Sequence, residues 1–394
     1  MEPLKNRIYA FDTLRTVMVL LGIVIHASLL YQVNIFNLPV FFNDPKNHSS
    51  AMNVIADFVH TFRMPVFYVI SGFFTALIYL ERGPTKLIEN RLHRLVYPFI
   101  AGLTVLLPAF LFSMNFFAAG LHGAKNMFGM ALSSTIKTFR WTDVYTIHLW
   151  FLYYLIWFCI AGLAIGYAVN RWLPEIKNGF IKYFRFVFLL KAAPLIFAIP
   201  TICGLLAMKS FDIKAADSFY INPVFFVTFG TYFLVGWLCY CLREDLDRFS
   251  KLYILYLILA CVLFALRWKL LFSYHDAATD AIEKASLHTI LIVMLGFCIW
   301  FFTFGIMGLF MKFLNRPSAI ARYISDGSYW IYLIHMPIVV IIQTLLLPYD
   351  ISALVKFLFV NLITISITIL SYNYLVRNTF IGYFLNGKKQ PRRF

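Results

Sequence analysis

The chain has 394 residues, of which 61% are hydrophobic and only 13% charged, and its mean hydropathy is +0.77. A water-soluble domain is about half apolar and about a quarter charged, so this composition excludes an ordinary soluble protein and makes lipid the main solvent. The net charge of +16 comes from 34 Lys and Arg against 18 Asp and Glu. These cations fall in short turns between apolar runs, and no basic stripe interleaved with aromatics lies outside them. The excess therefore speaks for membrane orientation and against nucleic acid.

A crossing helix needs about 20 mostly apolar residues. Ten stretches qualify, near 12–32, 52–80, 95–118, 147–169, 183–208, 221–241, 251–272, 287–313, 326–347 and 352–376. The expected fold is all-α: a polytopic membrane helix bundle forming one domain over residues 1–394. The first run carries Asp12 and Arg15 and continues past Tyr31, so it reads as a retained helix rather than a cleaved signal. The second is long for one straight span, and Pro65 and the pair Ser71 and Gly72 are the expected places for a kink.

One set of connecting segments holds Lys5, Arg7, Arg82, Lys86, Arg91, Arg94, Arg171, Lys177, Lys182, Arg185, Arg243, Arg248, Lys251, Lys312, Arg316, Arg322, Arg377, Lys388, Lys389, Arg392 and Arg393. The alternate set holds only Lys46, Lys125, Lys137, Arg140, Lys209, Lys214 and Lys284. Twenty-one against seven places both termini in the cytoplasm. The loops 33–50 and 119–146 then face outward, and the basic tail 387–393 anchors to anionic lipid. Cys159, Cys203, Cys239, Cys241, Cys261 and Cys298 all fall in or beside apolar runs, where buried packing is expected rather than disulfides or zinc.

Polar groups inside hydrocarbon are costly and call for a reason. Arg15 and His26 are eleven residues apart, close to three full turns, so they share one face about 16 Å apart along the axis. Gly22 leaves room on that face, and Asp12 is placed to pair with Arg15. The plainer reading of Asp12 and Arg15 is a marker of the cytoplasmic interface. In the second run Asp57, His60 and Arg63 form a stripe at steps of three, either functional or a structural ion network, followed by Ser71. His148 and His335 are further intramembrane candidates, whereas Lys191 sits near a helix end where it can snorkel.

A neutral imidazole can take a proton from a hydroxyl that attacks an acyl carbonyl, and a guanidinium can stabilise the resulting oxyanion or hold an anionic donor. No HExxH, Walker or dinucleotide motif occurs, and no metal is expected. A transporter whose path is lined by the same residues is the competing reading, to be favoured by broken helices in two related halves.

Arg15-x10-His26, Phe62-Arg63-Met64-Pro65, Ile70-Ser71-Gly72, Arg91-Leu92-His93-Arg94, His148-Leu149-Trp150 and Tyr332-Leu333-Ile334-His335 together resemble the acyltransferase-3 family of membrane O-acyltransferases. The segments around Phe11 to His26 and Asp57 to Met64 look most like a branch that succinylates periplasmic glucans. The resemblance implies a multi-pass protein of the bacterial inner membrane. Its donor would be cytoplasmic acyl-CoA, a co-substrate rather than a bound cofactor, carrying succinyl or else acetyl. The acceptor would be a hydroxyl of a periplasmic glycan, such as an osmoregulated glucan, a lipopolysaccharide or another surface polysaccharide.

The resemblance also implies that His26 is catalytic. On the chemistry of the residues themselves, Arg15 and Asp12 are expected to place the donor or orient the site. Arg63, Arg91 and Arg94 would bind the donor or stabilise charge. Asp57, His60, Ser71, His148, Trp150 and His335 would stand at the acceptor site or support it. Partners are then acyl-CoA, the glycan and lipid, with a homo-oligomer allowed.

Overall fold

The computed structural model describes residues 8–33, 43–141, 145–213, 218–276 and 281–386. The expected basic tail and the cations Lys5 and Arg7 lie outside these residues. In lipid the backbone must satisfy its own polar groups, and the apolar runs accordingly become helices, with no strand among the described residues. In order they are α1 (Tyr9–Leu29), α2 (Ser50–Arg91), α3 (Tyr97–Leu121), α4 (Met127–Thr138), α5 (Trp150–Trp172), α6 (Pro174–Leu189) and α7 (Ala193–Met208). They continue with α8 (Pro223–Cys241), α9 (Asp247–Asp276), α10 (Ala281–Phe313), α11 (Ala319–Leu345), α12 (Ala353–Ser371) and α13 (Phe380–Asn386). Side chains of Ser49, Asn126, Asn222, Ser318 and Ser352 accept from the first free N–H groups of α2, α4, α8, α11 and α12, which defines those starts.

Eight helical stretches are long and apolar enough to cross a membrane, or nine if the bent pair of α6 and α7 forms one crossing. One of the eight, Ser50–Leu121, runs for 72 residues. That is on the order of 100 Å of helix, several bilayer cores in length, and it contains both expected spans 52–80 and 95–118.

The non-helical break in α2 does not fall at Pro65, Ser71 or Gly72. Helical dihedrals continue through all three, and the break falls at Gly83, with φ 83° and ψ 169°. Glycine alone adopts that conformation without a steric cost, and Pro84 follows it. The expected 183–208 span is corrected, since α6 and α7 meet at 113°. Pro194 in the first turn of α7 suits a helix start, and Lys191 is exposed in the turn. The segment Arg91 to Arg94, expected as a loop, is a helical corner: Arg91 closes α2 and Arg94 lies in a π-helical turn, Leu92–Val96. The loop 119–146, expected to face outward, contains a helix of its own, α4.

The core joins α1, α2, α8, α10 and α11 through Phe11, Tyr68, Phe73, Tyr232, Trp300, Phe302 and Ile331. Where α2 crosses α8, a Cβ on Gly72 would collide with the Phe233 carbonyl and one on Gly236 with that of Val69. Small residues are what allow such close backbone approach between membrane helices. Gly236→Ala is expected to cost about 3 kcal/mol, the upper part of the overpacking range, because backbone cannot yield as a side chain does. A lowered unfolding temperature in detergent measures it. All six cysteines are free; Cys159, Cys239 and Cys298 are buried as expected, while Cys203 and Cys261 are exposed and Cys241 is half-buried. The two exposed thiols occupy outward positions on α7 and α9.

Candidate active site

Three helices turn polar faces toward one another. On α1, Asp12, Arg15, Val19, Gly22 and His26 follow at steps of three or four residues, which keeps them on one side. On α2 the face is Arg63, Phe67, Ser71, Phe74 and Ile78, and on α11 it is Arg322, Ser325, Tyr329, Tyr332 and His335. Between these faces and the π-helical corner lies a cavity of about 760 Å³.

Arg15, Arg91, Arg94, Arg316 and Arg322 line it, against the carboxylates of Asp12 and Asp326. Ser71, Asn90, Ser325, Tyr329 and Tyr332 supply further polar groups. Arg15 donates through Nη2 to Ser325 Oγ at 2.6 Å, and Arg91 through Nη2 to Thr75 Oγ1 at 2.8 Å. A concave, guanidinium-rich space of this kind suits a polyanion, since the planar fork of Arg matches phosphate.

His26, Arg63, His335 and His148 do not line the cavity. His26, Arg63 and His335 stand beyond its end, one or two turns past Val19, Phe67 and Tyr332 on the same helical faces, and His148 joins them from the turn Ile147–Leu149 before α5. The rings of His26 and His335 are 5.3 Å apart, and those of His335 and His148 are 5.2 Å apart. Tyr332 bridges the cavity to this cluster, with its ring 6.1 Å from His335 and 5.5 Å from His148. A Cβ on Gly22 would lie 2.5 Å from Arg63 Nη1 and 3.9 Å from His335 Nε2. The room that Gly22 leaves is thus filled by a guanidinium.

Backbone carbonyls set the histidine tautomers. His335 Nδ1 faces the oxygens of Ile331 at 3.1 Å and Tyr332 at 2.6 Å, so it carries the hydrogen and Nε2 keeps a lone pair. His148 Nε2 faces Leu333 O at 3.2 Å, so its Nδ1 is the bare nitrogen. His26 Nδ1, His335 Nε2, His148 Nδ1 and Arg63 Nε are all buried without a partner. Ile147, just before His148, has φ 48°, a strained conformation for a β-branched residue. Tyr332 donates its hydroxyl to the His148 carbonyl at 2.6 Å, which helps hold that turn.

Gly22→Ala is expected to displace the Arg63 guanidinium and lower turnover at least about tenfold, with little effect on folding because the end of a flexible side chain can shift. Comparing turnover and unfolding temperature of the variant with those of the parent checks this.

The stripe Asp57, His60 and Arg63 does not form one network. Arg267 of α9 donates through Nη1 to Asp57 Oδ2 at 2.5 Å, and through Nη2 to Phe211 O at 2.8 Å. His60 Nδ1 lies 3.6 Å from Asp212 Oδ1. Only Arg63 reaches the imidazole cluster. Trp150 is also set apart, packed in the apolar core with its ring 5.6 Å from Phe229. Asp12, Arg15, Ser71, Arg91 and Arg94 share the cavity, whereas His26, Arg63, His148 and His335 share the cluster.

Sequence reasoning missed Tyr329, Tyr332, Ser325 and Asp326, and it counted Arg316 and Arg322 only toward orientation. The step of three or four from Arg322 through Ser325, Tyr329 and Tyr332 to His335 was the available signal. Among the described residues no group of three or more His, Cys, Asp or Glu could hold a metal ion.

A helical membrane bundle with an arginine-lined cavity ending at a histidine cluster is an architecture suited to acyl transfer. The family model described as an acyltransferase domain, acyltransferase-3, matches residues 8–373, and the chain belongs to that family. It is similar to glucans biosynthesis protein C of Escherichia coli K12, with 26% identity over 408 residues, covering 100% of this chain and 98% of the relative. The proteins of the same name from Escherichia coli O139:H28 and O157:H7 match at the same identity and coverage. No solved structure matches the chain.

Proposed function

We propose that this multi-pass acyltransferase works in the bacterial inner membrane. It moves an acyl group, succinyl first and acetyl second, from cytoplasmic acyl-CoA to a hydroxyl of a periplasmic glycan. The observation that carries this reading is the continuity of three helical faces from the arginine-lined cavity into the cluster of His26, Arg63, His335 and His148. The name of the relatives, which ties them to glucan biosynthesis, supports a glucan acceptor. The basic bias of the connecting segments supports cytoplasmic termini and a cavity open to the cytoplasm.

In this mechanism Arg91, Arg94, Arg316 and Arg322 hold the phosphates of the donor, while Arg15 and Asp12 direct its acyl end inward. His26 takes the proton of the acceptor hydroxyl as its oxygen attacks the thioester carbonyl. Negative charge then collects on the carbonyl oxygen, next to Arg63. As the intermediate collapses, the carbon–sulfur bond breaks and the thiolate takes the proton back from His26. Arg63 has no carboxylate partner among the described residues, while the buried Arg267 and Lys356 each have one. An unpaired buried charge is costly, which supports a substrate anion at Arg63: the oxyanion, or the free carboxylate of a succinyl group.

The test uses the purified protein in liposomes, with succinyl-CoA or acetyl-CoA and a periplasmic glucan fraction. Free CoA thiol should appear only when glucan is present, and the glucan should gain the mass of the acyl group. Glucan or acyl movement across the membrane without thiol release would overturn the proposal in favour of transport.

A further inference from the structure

We infer that His335 and His148 form the subsite that recognises the acceptor, each accepting a hydrogen bond from a sugar hydroxyl next to the one acylated. This rests on the reading of the chain as an O-acyltransferase and adds to it which residues read the polyol. His335 is 2% exposed and His148 8%, and each ring has one nitrogen committed to a backbone carbonyl and the other buried without a partner. A buried polar atom left unpaired is costly, so two adjacent bare nitrogens call for a ligand.

Their chemistry selects which one. A neutral imidazole held in this tautomer offers a lone pair and needs a donor. The phosphates, the thioester carbonyl and a succinyl carboxylate only accept hydrogen bonds. A sugar carries several hydroxyl donors side by side. Placement agrees, because the pair lies past Tyr332, beyond the cavity that Arg91 and Arg94 line, and His148 sits in the turn leading into α5. The strained φ of 48° at Ile147 fits a turn held in place to aim that ring.

The reconstituted full-length protein is assayed with succinyl-CoA, a glucose oligosaccharide and a panel of its monodeoxy analogues. In the parent protein at least one analogue should raise the acceptor KM about tenfold, the loss of roughly one hydrogen bond. His335→Leu and His148→Leu should each raise the KM for the full oligosaccharide about tenfold, leave the donor KM as it was, and no longer distinguish that analogue. His335→Gln and His148→Asn place an amide oxygen near the lost lone pair and should keep the acceptor KM within about threefold.

Leucine variants that keep the parental acceptor KM and the parental discrimination overturn the inference. If the leucine variants do not fold, the amide variants decide, and a tenfold rise in their acceptor KM overturns it. A parent protein that releases no thiol in response to glucan fails at the level of the proposed function and takes this subsite with it. Normal turnover with unmoved acceptor constants fails the subsite alone.

Discussion

His26→Ala is expected to reduce glucan-dependent release of CoA thiol by about 10²–10⁴-fold, the usual contribution of a positioned proton acceptor. The donor KM should change little, because the arginines proposed to hold the donor phosphates lie more than two turns away along the helical faces. The imidazole is half-buried on α1, 5.3 Å from His335, with Nδ1 unpartnered, so its loss leaves a small void and breaks no hydrogen bond. Unfolding temperature should therefore stay close to that of the parent. Rapid-mixing or endpoint thiol assays on the reconstituted variant, beside a thermal melt, check both halves. Turnover within a factor of a few of the parent would remove His26 from the chemistry.

Asp44→Ala is expected to have the largest effect on stability, a loss of about 3–5 kcal/mol, as found when one partner of a buried ion pair is removed. Lys356 Nζ lies 2.6 Å from Asp44 Oδ2, and the two side chains are 0% and 1% exposed. The other carboxylate oxygen of Asp44 accepts from the backbone N–H groups of Lys46 and Asn47. Backbone bonds from Asp44 to Leu30 and from Ser49 to Tyr31 fasten the same segment to the end of α1. Truncating Asp44 leaves the buried ammonium of Lys356 stranded and frees the segment that follows α1. The double variant Asp44→Leu with Lys356→Met removes both charges and should recover most of the loss. Thermal melts of the two single variants and the double variant form the cycle that tests this.

The apolar runs were legible because lipid imposes helix on any long apolar segment, and the α1 face was legible because charges in hydrocarbon stand out. What spacing reports is which residues share a side of one helix, not which neighbour that side meets. Asp57, His60 and Arg63 therefore read as one network, although packing joins Asp57 and His60 to Arg267 of α9 and Asp212 and hands Arg63 alone to α1. Arg267 and Lys356 escaped notice because a cation near the end of an apolar run looks like a boundary. Arg316 and Arg322 read as orientation signals for the same reason, yet they line the cavity. Pro65 looked like the break because proline removes a backbone donor, but Gly83 breaks the helix instead by taking a positive φ.

Carrying the proposed donor-placing charge and the proposed proton acceptor on a single rod has a consequence for how α1 can change. Asp12, Arg15, Gly22 and His26 keep a common bearing only while the residue count between them is held. Inserting one residue after Val19 would swing everything beyond it by about 100°, turning His26 off the axis shared with Arg15 while leaving composition and length nearly untouched. The phase of this helix is thus a constraint in its own right: conservative exchanges along it can be absorbed, whereas a single insertion or deletion separates the docking end from the reacting end.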